Sequence, residues 1–345
     1  MKKILLLLLL VVVAFLGLFG YLLGRPQAPG PVTVPVRRAI GPEPSLHAST
    51  STLTVVTWNI AWGFGWGSEG KQEEGPKSKA QIQKSLEAMG ETLKRANVDI
   101  ALLQEVDFAA GRSHNLDQAE VIAQAAGLAY FAPIVSWRAR YLPYPYWPPS
   151  GWWGPISSGA AILSRFPIET ASGVLFEKPK SQPPWYSPFY PFRFLQTSDV
   201  RIGSLTLHVH NTHLEAFDPV NRMSQARAAA AILDRPGPFT LFGGDFNTVP
   251  PEAPVRHAFP DEPLTDFRAD DTLAVFRAIP GLSHVVPADR LDDPSFFTFP
   301  SHAPNRMLDH MFVGPGLVPL DARVLTEAGK LSDHLPVIAR FRIPL

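Results

Sequence analysis

The strongest constraint on this chain is an apolar run at its N-terminus. Residues Ile4 to Leu23 carry no charge, and about 20 such residues are what a helix needs to cross the hydrocarbon core of a bilayer. Such a helix would have no polar face, so we do not expect it to form part of a water-soluble core. Lys2 and Lys3 precede the run and should stay in the cytoplasm, which places the following domain outside it.

The apolar run has two interpretations, a retained signal anchor and a cleaved signal peptide. The core of a signal peptide is shorter, about 7–15 residues, and is followed by a small-x-small cleavage site. Residues 21–25 (YLLGR) contain no such site, which favours the anchor. The chain has no cysteine, so disulfides, thiolate metal sites and a lipoprotein anchor are excluded. We expect a single-pass protein of the cell membrane with an extracytoplasmic domain, or a secreted protein if the run is cleaved.

The chain divides into three parts by composition. Residues 1–24 are the anchor or signal peptide, and residues 25–52 are rich in Pro, Ser and Thr without a helical period, as is typical of an extended linker. In residues 53–345, strand patterns such as Leu53–Asn59 alternate with amphipathic helix patterns such as Lys79–Ala96. No second linker interrupts this part, so we predict one α/β domain.

Short polar clusters follow several of the predicted strands. A lone Asp or His after a strand is more often a helix cap or a structural residue. Caps do not need repeated Asn, Glu and His partners, however, and strand ends are where α/β folds gather functional side chains. The clusters are Trp58-Asn59, Gln104-Glu105, Asn211-Thr212-His213, Gly244-Asp245-Phe246-Asn247, Leu308-Asp309-His310 and Ser332-Asp333-His334.

In chain order, these clusters resemble the motifs of a known enzyme superfamily. TWNI, LLQEVD, SGAAILSRFPI, NTHLEA, GGDFNT, MLDHMFV and SDHLPV are similar to those of the endonuclease/exonuclease/phosphatase superfamily, which includes DNase I-like nucleases, abasic-site endonucleases, neutral sphingomyelinases and inositol polyphosphate 5-phosphatases. The resemblance covers about residues 53–345. It implies a DNase I-like four-layer α/β/β/α sandwich with the active site at one edge.

The resemblance also implies a Mg²⁺-dependent hydrolase of phosphodiesters or phosphomonoesters, with Mn²⁺ as an alternative ion. Glu105, with Asn59 and Asp333, would hold the ion, because Mg²⁺ is a hard cation that prefers oxygen ligands. Ala61 stands where some abasic-site endonucleases have an acidic residue, which weakens the case for that subclass. The number of ions is left open.

Five residues are implied in catalysis. Asp309 would hydrogen-bond His334 and fix its tautomer, as carboxylates do for catalytic imidazoles. Asp245 would orient or deprotonate the attacking water, and the sequence leaves open whether Asp245 or His334 is the base. His213 and Asn247 would contact the phosphate oxygens.

Two further residues are candidates for substrate contact. Arg112, in the run GRSHNLDQ, resembles a recurrent basic residue of bacterial family members. It could bind the substrate phosphate or form a salt bridge with Asp107 or Asp117. Asn211, in the NTHLEA motif, is the second candidate.

The substrate is the open question, and two aromatic, Pro-rich segments bear on it. Trp137–Trp153 and Gln182–Phe194 show no helix or strand period, so they either cover a sheet edge or line the mouth of the cleft. There, Trp and Tyr would suit a membrane interface or stack on nucleic-acid bases. Lys+Arg and Asp+Glu are both 31, and this zero net charge argues against nucleic acid. We therefore favour a phospholipid or lipid-linked phosphoester, with lipid contact through Trp137–Trp153.

Two alternatives remain at this point. One is an extracytoplasmic nuclease acting on DNA or RNA, and the other, from a different class, is a non-catalytic binding module on the same fold. No protein partner is predicted.

Overall fold

The structure is a computed structural model that describes residues 2–24, 27–39, 52–65, 77–144, 147 and 149–344. Its helices are α1 (Lys2–Leu23), α2 (Lys79–Arg95), α3 (Gln118–Ala126), α4 (Pro219–Ile232) and α5 (Thr272–Arg277). Its strands are β1 (Gly30–Thr33), β2 (Arg37–Arg38), β3 (Thr52–Asn59), β4 (Ile100–Asp107), β5 (Tyr130–Leu142), β6 (Gly154–Ser164), β7 (Ile168–Leu175), β8 (Phe194–Ile202), β9 (Leu205–His213), β10 (Thr240–Asp245), β11 (Ser283–His284), β12 (Asp309–Val313), β13 (Val318–Val324) and β14 (Val337–Arg342).

These strands form two seven-stranded sheets. The first has the order β1-β7-β8-β9-β10-β12-β11, and the second has the order β13-β14-β3-β4-β6-β5-β2. Only the pairs β9–β10 and β3–β4 are parallel among the described ladders, and both lie near the centres of their sheets. The two parallel pairs therefore contribute the strand ends on which the predicted motifs lie.

The sheets pack face to face and carry helices on their outer faces, which confirms the predicted four-layer sandwich. Leu102 of the second sheet and Val209 of the first belong to one core between the sheets. Leu86 of α2 packs with Trp58 on the outer face of the second sheet, and Ala226 of α4 packs with Phe242 on that of the first. Because both faces of the central strands are covered, these strands are apolar on both sides rather than alternating.

The helix α2 follows the predicted pattern. Its apolar stripe contacts the outer face of the second sheet, and Ser78 and Gln81 form a capping box at its N-terminus. The capping box therefore marks where α2 begins, and the apolar stripe marks the face that it buries.

The predicted linker over residues 25–52 is wrong for the segment that contains β1 and β2. Gly30–Thr33 pairs antiparallel with β7, Arg37–Arg38 pairs antiparallel with β5, and Val34 between them is only 4% exposed. These are edge strands of two and four residues in a Pro-rich segment, too short to show a period-2 pattern. Residues 24–29 alone connect α1 with β1, so α1 is attached closely to the domain. Residues 40–51 lie outside the described residues.

The aromatic segment Trp137–Trp153 begins as a strand, contrary to expectation. The strand β5 continues to Leu142 and pairs with β6, but its register shifts after Val135 and again after Ala139. Bulges of this kind add a residue to one strand and so disrupt the alternation that would mark a strand in the sequence. Residues 145, 146 and 148 of this segment lie outside the described residues.

The helix α1 is exposed along most of its length and is long and apolar enough to cross a membrane, a property that signal sequences share. Its last turns touch the domain. The ring of Phe19 lies 5.4 Å from that of Phe189, centroid to centroid, and the guanidinium carbon of Arg140 lies 4.6 Å from the ring centroid of Tyr21.

A matched pair of valines tests whether the segment after α1 is docked. Val34→Ala should lower the free energy of unfolding by about 1–2 kcal/mol, because it removes two buried methyl groups from the core between the sheets. Val36→Ala, at a position that is 38% exposed, should change it by less than about 0.5 kcal/mol. Urea denaturation of the full chain in a mild detergent measures both. Negligible effects from both substitutions would mean that the segment is a free linker.

Candidate active site

Strand ends from both sheets meet in one cleft. In the first sheet, β10 lies between β9 and β12, and its register sets Asp245 directly beside both His213 and Asp309. In the second sheet, the parallel pair β3–β4 brings Asn59 and Glu105 to the same sheet edge. Backbone pairing thus gathers His213, Asp245 and Asp309 in the first sheet and Asn59 and Glu105 in the second, and the face-to-face packing of the sheets brings the two groups together.

The imidazole of His334 lies between two carboxylates in this site. Nδ1 of His334 lies 2.8 Å from Oδ2 of Asp309, and Nε2 lies 3.8 Å from Oδ2 of Asp245. Burial lowers the pKa of His334, but the negative charges of Asp309 and Asp245 outweigh burial and raise the pKa to about 10. The ring is therefore an imidazolium near neutral pH, and it makes the contact with Asp309 that the family resemblance implied.

Asp245 is the carboxylate on which several polar groups converge. Its Oδ2 accepts a hydrogen bond from Nδ2 of Asn59 at 3.0 Å and lies 3.5 Å from Nε2 of His213, and its Oδ1 accepts from the backbone N–H of Asn247 at 2.9 Å. Burial raises the pKa of Asp245 to about 6, although the positive charge of His334 opposes the rise. Its protonation therefore changes close to neutral pH.

Glu105 and Asp333 are half-buried and face the cleft. Glu105 has a φ of 55°, at a bulge in β4, and a left-handed conformation of this kind is costly for a residue other than glycine. Burial and then the charge of Asp333 raise the pKa of Glu105 to about 7, and burial also raises the pKa of Asp333. The charge of Asp333 acts on Glu105, and a divalent cation bound at these carboxylates would stabilise both as anions. The oxygen donors present thus fit a hard cation.

A second group could also hold a metal ion by geometry. Ligand atoms of Asp245, Asp309 and His334 lie within 4.8 Å of one another. We propose a catalytic role for this group instead, because Nδ1 of His334 already bonds to Asp309 and Mg²⁺ prefers oxygen ligands to imidazole nitrogen.

The site also contains a cation that the sequence motifs do not predict. Arg193 precedes β8 by one residue, and its Nη1 donates to Nε2 of His213 at 2.7 Å. Burial and the charge of Arg193 lower the pKa of His213 well below 6.5, so this ring is neutral. Only the pairing of Phe194 with His213 reveals the position of Arg193, and no local motif signals it.

Loop contacts hold the site residues in place. The indole N–H of Trp58 donates to the carbonyl of His334 at 2.9 Å, and the hydroxyl of Ser332 donates to the carbonyl of Asn59 at 2.7 Å. The side chain of Asn247, whose φ is 51°, donates to the carbonyl of Leu214 at 2.9 Å. The loops that carry His334 and Asn247 are therefore tied to the ends of β3 and β9.

The cleft has a volume of about 1470 Å³, with a polar floor and an aromatic wall. The wall includes Trp152, Trp185 and Phe189, so the aromatic segments line the cleft mouth. Asp309 lies behind His334 and is fully buried. The predicted site residues that line the cleft are Asn59, Glu105, Arg112, His213, Asp245, Asn247, Asp333 and His334.

Motif order, fold and site geometry agree with the comparison to known families. The sequence profile of the Endonuclease/Exonuclease/phosphatase family matches residues 56–334. The chain belongs to this family. Endonuclease/exonuclease/phosphatase enzymes hydrolyse phosphoester bonds. No curated protein sequence matches the chain significantly.

Solved structures of the family share the fold. An endonuclease/exonuclease/phosphatase from Beutenbergia cavernae is 20% identical, with a TM-score of 0.54 over 85% of this chain and 72% of that one. A family member from Bacteroides thetaiotaomicron is 16% identical, with a TM-score of 0.54 over 85% and 98% of the two chains. The mannosyl-6-phosphatase of the same organism is 18% identical, with a TM-score of 0.53 over 84% and 99%.

Arg112 forms the salt bridge that was the alternative to substrate binding. Its Nε and Nη2 donate to the carboxylate of Asp107 at 3.0 and 2.9 Å. The indoles of Trp62, Trp137 and Trp153 surround the guanidinium, with centroids 4.0–5.0 Å from its central carbon. Its Nη1 is buried and has no acceptor in the described part of the chain. Contact between Arg112 and a substrate would therefore require the indoles to move.

The predicted substrate contact of Asn211 is wrong. Its side chain is fully buried between the sheets, where Oδ1 accepts from Gln104 at 2.7 Å and Nδ2 donates to the carbonyl of Leu103 at 3.1 Å. Asn211 and His213 point to the same side of β9, but only His213 is at the strand end and reaches the cleft. Strand parity could not separate these two positions.

Replacing Asn211 tests this structural role. Asn211→Ala should lower the free energy of unfolding by about 1–3 kcal/mol, because it leaves buried partners unsatisfied. The Michaelis constant for a soluble phosphoester should stay within about threefold of that of the wild type. Urea denaturation and steady-state kinetics measure the two effects. A tenfold higher Michaelis constant with unchanged stability would restore the substrate role.

Proposed function

We propose that this protein is a membrane-tethered, metal-dependent hydrolase of phosphoester bonds. The observation that carries the proposal is the cleft floor. There, Glu105 and Asp333 face solvent beside the imidazolium of His334, the carboxylate of Asp245 and the guanidinium of Arg193. Hydrolysis of a phosphoester needs a cation that neutralises the phosphate and a group that accepts a proton from water. The side chains of this floor suit both roles.

Mg²⁺ or Mn²⁺ would be held by Glu105 and Asp333 with help from Asn59. The amide of Asn59 donates to Asp245, and its Oδ1 accepts one bond from the N–H of Ala61 at 3.1 Å, which leaves a second lone pair. When bound, the cation neutralises the phosphate and polarises its P–O bonds.

The remaining residues bind the phosphate and move one proton. We assign proton acceptance to Asp245, because each ring nitrogen of His334 faces a carboxylate and a protonated ring cannot accept a proton. Water oxygen attacks phosphorus, its proton passes to Asp245, and the bond from phosphorus to the leaving oxygen breaks, after which the leaving oxygen takes a proton from solvent. His334 donates a hydrogen bond to the phosphate oxygen on which charge builds up, and Arg193 adds positive charge. His213 and Asn247 orient the phosphate.

Several features support a membrane tether and a lipid substrate. The helix α1 is apolar and exposed, Lys2 and Lys3 precede it, and residues 24–29 leave the domain little freedom to move away. Exposed aromatic side chains stand near the cleft mouth, where amphipathic rings suit the head-group level of a bilayer. Among the residues that line the cleft, Phe217 is 79% exposed and Trp185 is 62% exposed.

A nucleic-acid substrate is less well supported. The two aromatic segments contain three arginines, and nucleic-acid binding depends on free cations along the phosphate backbone. Arg193 is on the cleft floor, and Arg140 lies over the ring of Tyr21 in α1. Of these three arginines, Arg138 is left to bind a nucleic-acid backbone. Because one of the similar structures is a mannosyl-6-phosphatase, we also consider phosphomonoesters as substrates.

A substrate panel tests the proposed function. Purified full-length protein should hydrolyse bis-p-nitrophenyl phosphate or p-nitrophenyl phosphate, and phospholipid in vesicles, only with Mg²⁺ or Mn²⁺ present. EDTA should abolish the activity. Asp245→Asn and His334→Ala should each lower kcat by about 10²–10⁴-fold, the usual contribution of one acid or base. His208→Ala is the matched control, because His208 projects from the outer face of β9 and pairs with Asp199.

The outcomes separate the alternatives. Activity that survives EDTA and both catalytic substitutions would contradict the mechanism. Efficient cutting of plasmid DNA without lipid hydrolysis would replace the lipid proposal by a nuclease. Hydrolysis of no substrate in the panel would favour a binding module, and full-length protein in the cytosolic fraction would contradict the tether.

A further inference from the structure

The last turns of the anchor helix lie in the same cleft as the catalytic residues. Phe15, Phe19 and Leu22 line it together with Glu105 and His334. The spacing of four and three residues places these apolar side chains on one face of α1. A simple tether would have no reason to contribute a face to the active-site cleft.

Contacts with the domain fix where this face points. The edge of Phe19 packs on the ring of Phe189, and Tyr21 lies under the guanidinium of Arg140. The strand β1 begins only a few residues after α1 and pairs with β7. The end of α1 is thus attached to the aromatic wall on one side and to the first sheet on the other.

The depth of α1 in a bilayer determines which part of a lipid this apolar face would contact. A helix of 22 residues is about 33 Å long, close to the thickness of the hydrocarbon core. Phe15 then lies about 12 Å from the end of α1, inside the leaflet next to the domain. The cleft therefore extends from hydrocarbon depth at Phe15 to the polar floor at Glu105.

We propose that α1 is one wall of the substrate site. The ligand is a lipid phosphoester of the adjacent leaflet, whose hydrocarbon chain lies along the continuous apolar surface that Phe15, Phe19 and Phe189 form in the cleft. Its phosphate reaches the floor at Glu105 without the lipid leaving the bilayer. An amphiphile is the class of ligand that matches a wall of exposed apolar rings joined to a charged floor. This inference rests on the proposed phosphoesterase function.

The dependence of binding on the length of the ligand's hydrocarbon chain tests directly whether α1 contributes to the substrate site. Dodecyl phosphate and ethyl phosphate carry the same head group, so the ratio of their affinities isolates the hydrocarbon chain. Binding is measured by quenching of tryptophan fluorescence in full-length protein in phosphatidylcholine nanodiscs, which does not require hydrolysis. The double variant Phe15→Ala/Phe19→Ala should lower the preference for dodecyl phosphate by about tenfold or more.

A matched control separates the wall from the tether. Leu10 and Val13 lie on the opposite face of α1, each is 57% exposed, and neither lines the cleft. Leu10→Ala/Val13→Ala should keep the wild-type preference, because partition of the alkyl chain into the nanodisc is the same. Phe19→Leu keeps an apolar side chain next to Phe189, so this variant should retain most of the preference for dodecyl phosphate.

Equal chain-length preference in the two double variants would overturn the proposal, because α1 would then be a tether only. Failure of the proposed function has a different signature. In that case wild-type protein would not hydrolyse bis-p-nitrophenyl phosphate or p-nitrophenyl phosphate with Mg²⁺, whereas the fluorescence measurement would still report on the wall.

Discussion

The concentration of negative charge at one end of the sandwich is the constraint on which the rest of the site depends. Glu105, Asp245, Asp309 and Asp333 lie there, and carboxylates that share a buried site raise one another's pKa values. Burial and neighbouring charge bring the pKa of Glu105 to about 7 and that of Asp245 to about 6. His334 neutralises part of this charge between Asp309 and Asp245, and Glu105 and Asp333 face the cleft, where we propose that the cation binds.

The fold maintains this arrangement by backbone pairing and accepts local strain. The paired ends of β9, β10 and β12 fix His213, Asp245 and Asp309, and none of the three can move alone without breaking ladder hydrogen bonds. Glu105 and Asn247 adopt left-handed backbone conformations, which persist only where surrounding contacts determine them. Strain at two residues of the cleft, within well-packed sheets, is typical of a functional site.

The resemblance of the motifs to the endonuclease/exonuclease/phosphatase family predicted the four-layer fold and the residues of the site floor, and local patterns placed those motifs at strand ends. Apolar strands followed by polar residues mark strand ends, and parallel strands bring their ends together. The errors arose where tertiary pairing decides. The short edge strands β1 and β2 carry no periodicity, the bulges of β5 disrupt its alternation, and Arg193 reaches His213 only through the register of β8. Asn211 has the same strand parity as His213 but lies one step further from the cleft.

Binding of Mn²⁺ tests the central claim most directly, because the claim concerns where the cation sits. Electron paramagnetic resonance would report bound ion in the wild type, in Glu105→Gln and in Asp309→Asn. A site formed by Glu105 and Asp333 predicts that Glu105→Gln weakens binding by about tenfold or more, and that Asp309→Asn largely preserves it. Binding retained in Glu105→Gln but lost in Asp309→Asn would contradict this account and place the ion among Asp245, Asp309 and His334.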